Sequence, residues 1–254
     1  MSRLLGKVAV VTGAAAGIGA AAARKFASEG ARVFLGDIDE DALGAVVADL
    51  RREGFEAFGH QLDVVDEASV ADFFAGLDTT YGRLDVLFNC AGGSATEDGP
   101  VHDLTVQVVR KVFDLEILSV ILCSRAAIPV LRRSGGGIVI NMTSYAAYRG
   151  TVQIHAYSAA KGAVGALTLS MAGAYARDGI RVNAIAPAAA LSDRAKRRLT
   201  EGNVADHLSF QWENYPFAMG PPESVADIAV FLASTESQML TGQVIMADGG
   251  LTAY

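Results

Sequence analysis

Short apolar, β-branched runs recur along the chain at residues 7–12, 32–36, 55–62, 84–88, 138–142, 180–185 and 244–246, bounded by glycines or turn residues. Runs of this kind without polar alternation predict parallel strands buried on both faces. Between them lie helix-length stretches at 20–29, 40–52, 67–80, 105–133 and 157–176. Asp66 is placed to cap the third of these. The fourth is expected to be interrupted by Pro129 and is closed by Gly135-Gly136-Gly137. The regular alternation predicts an α/β fold, a doubly wound sheet of seven parallel strands with helices on both faces. No repeat or linker divides residues 1–254, which are read as a single domain. One long insertion, 188–222, mixes basic residues (Arg194, Lys196, Arg197, Arg198) with Phe210, Trp212, Tyr215 and Phe217. It is expected to be a lid over an apolar pocket; a helix packing its aromatics on a neighbouring subunit is the alternative.

Ligands of doubly wound sheets bind beyond the carboxyl ends of the strands. The first predicted strand feeds Thr12-Gly13-Ala14-Ala15-Ala16-Gly17-Ile18-Gly19 and then a helix. Glycines at such a turn let the backbone approach a pyrophosphate, and the helix N-terminus offers N–H groups and partial positive charge. The spacing, G-x-x-x-G-x-G, departs from the commoner dinucleotide fingerprint. Asp37 ends the second strand, where a carboxylate would bind a ribose diol and repel a 2′-phosphate. Neither residues 14–16 nor Ile38 supplies a basic partner for such a phosphate, so NAD is favoured over NADP. An Asp37 that merely caps the following helix is the alternative. Asp63-Val64, Asn89-Cys90-Ala91-Gly92-Gly93-Ser94, Thr143-Ser144 and Pro187 fall at the ends of later strands. Polar and glycine signals thus gather on one rim.

Composition narrows the partners. Apolar residues make up 51% of the 254 and charged residues only 19%, with mean hydropathy +0.30, which excludes a disordered chain. The 21 basic against 28 acidic residues give a formal charge of -7, which argues against nucleic acid. Two cysteines, Cys90 and Cys123, cannot build a disulfide framework and read as reduced thiols. No apolar run reaches membrane-spanning length. A cytoplasmic protein is expected, without a membrane partner. His60, His102 and His207 show no metal-ligand spacing with the cysteines, so no metal is expected.

Tyr157 and Lys161 stand four residues apart, on one face of the last long helix if it forms. A free phenol, ionising near ~10, is a weak base at neutral pH. A neighbouring ammonium stabilises the phenolate and suits the pair to moving a hydroxyl proton. Many surface helices carry such a pair, so its weight comes from the other segments.

Together, residues 12–19, Asp63-Val64, residues 89–92, Ser144, Tyr157 with Lys161, Arg181-Val182-Asn183-Ala184-Ile185-Ala186-Pro187 and Asp248-Gly249-Gly250 resemble the single-domain short-chain dehydrogenases/reductases over almost the whole chain. The resemblance implies a Rossmann fold, a nicotinamide cofactor, and a homotetramer built through the helices at 105–133 and 157–177. It implies that Tyr157 is the acid/base, and that Lys161 holds the nicotinamide ribose and lowers the Tyr157 pKa. Ser144 would bind the substrate oxygen. Cofactor contacts are implied at Gly13, Ala16, Gly17, Ile18, Gly19, Asp37, Ile38, Asp63, Val64, Asn89, Ala91, Gly92, Tyr157, Lys161, Pro187 and Ser192. Gly93 and Tyr145, with Ala95 and Tyr148, are expected near the substrate.

The family usually has an asparagine in the pattern Phe-Asp-x-Asn-Leu; this chain has Phe113-Asp114-Leu115-Glu116-Ile117. Glu116 is therefore a candidate catalytic residue that could relay a proton or pair with Lys161, altering the pH profile. Ala188-Ala189 follows Pro187 where a glycine is common, and Cys90 replaces a second asparagine. The leading expectation is an NAD(H)-dependent enzyme interconverting a secondary alcohol and a ketone on a hydrophobic or cyclic small molecule. A 3-oxoacyl thioester reductase, docking an acyl carrier through Arg125, Arg132 and Arg133, is the alternative. A non-catalytic NAD-binding protein is a third reading. His155 and Gln153 could touch a polar substrate group, although a histidine there is more often simply packed.

Overall fold

The computed structural model describes residues 2–93, 97–151, 153–190, 217 and 219–253. Seven parallel strands form the central sheet: β1 (Val8–Thr12), β2 (Arg32–Asp37), β3 (Ala57–Gln61), β4 (Val86–Asn89), β5 (Gly137–Met142), β6 (Ile180–Pro187) and, last in the chain, β9 (Val244–Ala247). Their order is β3-β2-β1-β4-β5-β6-β9. The order reverses between β1 and β4, the crevice where such sheets bind ligands. Two short strands, β7 (Ala189–Ala190) and β8 (Met219–Gly220), pair with each other in parallel. They join the two ends of the expected lid; its residues 191–216 and 218 lie outside the described residues.

The helices follow from the spacing of apolar positions. They are α1 (Gly17–Ser28), α2 (Glu40–Arg52), α3 (Glu67–Tyr81), α4 (Val106–Phe113), α5 (Ser119–Arg133), α6 (His155–Tyr175) and α7 (Pro222–Ala233). Strand alternation divides the core: Ala9 and Val11 pack with α1, α2 and α7, whereas Val8 and Val10 pack with α3, α5 and α6. Phe73 of α3 is fully buried, with its ring centroid 4.9 Å from that of Phe34 on β2. Truncating such a residue to alanine costs about 3–5 kcal/mol.

One expectation needs correction. Pro129 does not interrupt its helix; α5 runs through it to Arg133. The break comes earlier, as a π-helical turn over Asp114–Leu118 between α4 and α5. Such a turn places an extra residue in the helix, often at a functional position. Glu116 lies on it.

Candidate active site

The glycine turn after β1 is held against the end of β4. Gly13 has φ +68, and a Cβ there would come within 2.8 Å of the Ala91 Cα. Thr12 Oγ1 accepts from the N–H groups of Cys90 and Ala91 at 3.0 and 3.1 Å. The N-cap of α1 is Ala16, which has no side-chain acceptor for the first-turn donors. Ala16 is exposed, and Gly17 and Ile18 are half-buried. An uncapped helix end behind a glycine cradle is a place for a phosphate group.

Asp37 closes this cradle from β2. Its Oδ2 accepts from Ala15 N at 2.9 Å and its Oδ1 from Asp39 N at 3.0 Å. It does not cap α2; Asp39 does, accepting from Ala42 N. A carboxylate can accept about four hydrogen bonds, so capacity for a ribose diol remains. Ile38 beside it is 63% exposed. Asp63 Oδ1 accepts from Val65 N at 3.1 Å, and Val64 is buried beside Thr12, Asn89 and Ala91. The Asn89 side chain turns inward, donating to Asn141 Oδ1 at 2.8 Å and Ser124 Oγ at 3.1 Å. Only its backbone is thus suited to line a cofactor. Pro187 ends β6 and is buried. Ser94, Ala95 and Ser192 lie outside the described residues.

The second half of the site joins β5 to α6. Thr143 Oγ1 donates to the Lys161 carbonyl at 2.7 Å, fixing Ser144 beside the helix. Ser144 is 5% exposed and its Oγ accepts from Ala146 N at 3.2 Å. One turn apart on α6, Lys161 Nζ lies 5.7 Å from the Tyr157 ring centroid. Lys161 is buried, donating to the Met142 carbonyl at 2.8 Å. Its Nζ is also 2.7 Å from Glu116 Oε2, an ion pair in which both side chains are buried. Glu116 Oε1 accepts from Gly93 N at 2.7 Å. Gly92 has φ +151, and a Cβ there would meet Glu116 Oε2 at 2.7 Å. Burial opposes the Lys161 ammonium, but Glu116 and then Tyr157 outweigh it and hold its proton above the ordinary lysine range. Burial pushes the Tyr145 phenol up, and the neighbouring Tyr157 adds to the shift.

The structure thus brings together the glycine turn, Asp37, the end of β4, Glu116, Ser144, Tyr145, Tyr157 and Lys161. Tyr148 lies against Gly165, farther along α6. His155 is packed: its Nδ1 accepts from Val101 N, and its Nε2 donates to the Thr151 carbonyl. One participant was not foreseen. Asp98 accepts from the backbone N–H groups of Ala156 and Tyr157 at 3.1 and 2.8 Å. The signal for it is indirect, an apolar Ile154 at the N-cap of α6 with no side-chain cap bond. Among the described residues, no group of His, Cys, Asp and Glu could hold a metal, and no helix is long and apolar enough to cross a membrane.

A family model described as enoyl-(acyl carrier protein) reductase, of the short-chain dehydrogenase type, matches residues 13–252. The chain is a short-chain dehydrogenase/reductase. It is 40% identical to an uncharacterized oxidoreductase, YxbG, of Bacillus subtilis, over 100% of this chain and 94% of that protein. It is also 40% identical to a cis-4-hydroxycyclohexanecarboxylate dehydrogenase of Sinomonas cyclohexanicum, over 97% of each. A solved 7α-hydroxysteroid dehydrogenase, complexed with NADH and 7-oxo glycochenodeoxycholic acid, superimposes with TM-score 0.89 at 32% identity, covering 98% of this chain and 95% of that one. The protein is therefore an oxidoreductase of this family, with a Rossmann-like parallel sheet.

Proposed function

We propose that the protein is an NAD-dependent dehydrogenase that interconverts a secondary alcohol and a ketone on a cyclic or hydrophobic small molecule. The observation that carries this reading is the meeting of Tyr157, Lys161 and Ser144 on the rim that also holds the glycine cradle. The residues fit a dinucleotide: an uncapped helix end for a pyrophosphate and a carboxylate with spare acceptors for a ribose. When bound, the nicotinamide supplies the hydride acceptor for oxidation. Tyr157 takes the hydroxyl proton, and Ser144 Oγ hydrogen-bonds the substrate oxygen as its charge develops. Lys161 has three donors; one goes to the Met142 carbonyl while the ammonium pairs with Glu116, which leaves capacity for a ribose hydroxyl. Gly93 and Tyr145 flank the substrate.

Asp37 and the apolar Ile38 favour NAD over NADP, because no basic side chain at 14–16 or 38 would meet a 2′-phosphate. Glu116 acts as the charged partner of Lys161 in the place of the family's usual asparagine. The cyclic substrate class is supported by the names of the relatives. The thioester-reductase reading is weakened because Arg125, Arg132 and Arg133 are already paired with Glu67, Asp178 and Asp78. Exposed Val106, Leu118, Ile121 and Leu169 on α4–α5 and α6 support a homotetramer assembled through those helices. The free thiols of Cys90 and Cys123 suit a cytoplasmic setting.

The test is NADH formation over a panel of cyclic, aromatic and aliphatic secondary alcohols, with NADP in parallel and Tyr157→Phe as control. Turnover with NAD that vanishes in the variant is the expected result. NAD binding without turnover on any alcohol would favour a non-catalytic protein.

A further inference from the structure

The helix carrying Tyr157 and Lys161 begins without a capping side chain of its own. Its N-cap residue is Ile154. An N-cap oxygen ordinarily satisfies the N–H of the second or third helical residue, which here are Ala156 and Tyr157. Both instead donate to Asp98, to Oδ1 at 3.1 Å and Oδ2 at 2.8 Å. Asp98 Oδ1 also accepts from Gly99 N at 2.8 Å, the Gly99 carbonyl accepts from His155 N at 3.3 Å, and Val101 N donates to His155 Nδ1 at 3.0 Å. The segment between β4 and α4 is therefore clasped to the first turn of α6. At its other end Gly93 N donates to Glu116, the partner of Lys161. One stretch of chain is thus tied to both members of the Tyr157–Lys161 pair.

We propose that Asp98 is a positioning residue for Tyr157, a helix cap supplied from the β4–α4 segment that fixes the backbone of the acid/base residue. This rests on the role given to Tyr157 above. The phenol pivots on a Cα in the first turn of its helix, and an uncapped first turn frays. Displacing a reacting group by about 1 Å costs on the order of 100-fold in rate. The carboxylate satisfies Ala156 and Tyr157 through separate oxygens, so an amide at position 98 would set an NH2 group against one of those donors.

The experiment uses Asp98→Ala, and Ile154→Asp added to it so that the cap is restored from within the helix. Amide hydrogen exchange at Ala156 and Tyr157 is followed by NMR. The kcat and KM values are measured with NAD and cis-4-hydroxycyclohexanecarboxylate, alongside Tyr157→Phe. Asp98→Ala is expected to speed exchange at both amides and lower kcat by about 10- to 100-fold, with KM for NAD held within about twofold. Ile154→Asp is expected to recover most of both losses. Unchanged exchange in Asp98→Ala overturns the proposal whatever the activity. So does faster exchange with kcat within about twofold of wild type, because the cap would then be structural only. Turnover that survives Tyr157→Phe instead refutes the role given to Tyr157, and the exchange data still judge Asp98 as a cap.

Discussion

Glu116→Gln removes one negative charge from a buried pair while keeping an oxygen that can accept the Gly93 N–H. Glu116 Oε2 is 2.7 Å from Lys161 Nζ, which is 5.7 Å from the Tyr157 ring centroid. The carboxylate therefore lies within about 8.4 Å of the ring, the sum of those distances. At an effective dielectric of about 20, a unit charge at that range is worth about 2 kcal/mol, or roughly 1.5 pH units. The sign follows from the charges: a carboxylate opposes a phenolate, so removing it eases loss of the Tyr157 proton. The low-pH limb of log(kcat/KM) for alcohol oxidation, along which Tyr157 gains its proton, is expected to move down by about 1 to 1.5 units. Lys161 also loses its partner, and breaking a buried pair costs about 3–5 kcal/mol, so melting curves accompany the kinetics. Superimposable profiles would refute the reasoning. A limb that moves upward would refute it too, since that would mean the buried ammonium had lost its own proton.

Asp37→Ser is expected to lower kcat/KM with NAD by about 10- to 100-fold, the worth of charged hydrogen bonds to a ribose, and to narrow the preference over NADP; an unchanged ratio would remove Asp37 from cofactor choice. Asp85 is buried, and although burial opposes its charge, Arg83, the Val8 N–H and Lys7 hold its carboxyl below the ordinary value of 3.8. Its stabilisation is therefore present above pH 3.8 and is lost as the pH falls through the lowered value. Asp85→Asn should cost about 1–3 kcal/mol at neutral pH, and its melting temperature should converge with that of wild type only in strong acid; a pH-independent gap would argue against the linkage. Burial pushes the thiols of Cys90 and Cys123 up to about 12, so a thiol reagent at neutral pH should modify neither until the protein unfolds. Rapid reaction of either thiol before unfolding would argue against this, Cys90 being only half-buried where Cys123 is buried.

The strands were legible because each is a short apolar run between turn residues, and the ends of β1, β2, β4 and β5 announced the rim. Boundaries moved by a residue or two where polar ends joined the ladder, as Asp37 and Asn89 do. The π turn was not legible, because one inserted residue hardly disturbs the apolar spacing, while the proline that should break a helix sits within one. Glu116 was legible as a departure from a pattern, and its contact with Lys161 was among the expected possibilities. Asp98 was not, because its partners lie 58 and 59 residues away and no local spacing encodes such a bond. The inward turn of Asn89 depends likewise on Asn141 and Ser124, which only the fold brings near.

The segment around Leu251 reaches the rim of the sheet through a small bracket. Asp248 gathers Gly250 N, Thr252 N and Thr252 Oγ1 into a turn around the buried Leu251. The Leu251 carbonyl accepts from Arg149, which follows the helical turn begun at Ser144. This bracket is local, whereas the sheet is held by a core on each face. A bracket held by so few bonds is expected to open before the sheet on warming. Heat inactivation is then expected to precede melting of the sheet, and coincident loss of activity and of the sheet would argue against it.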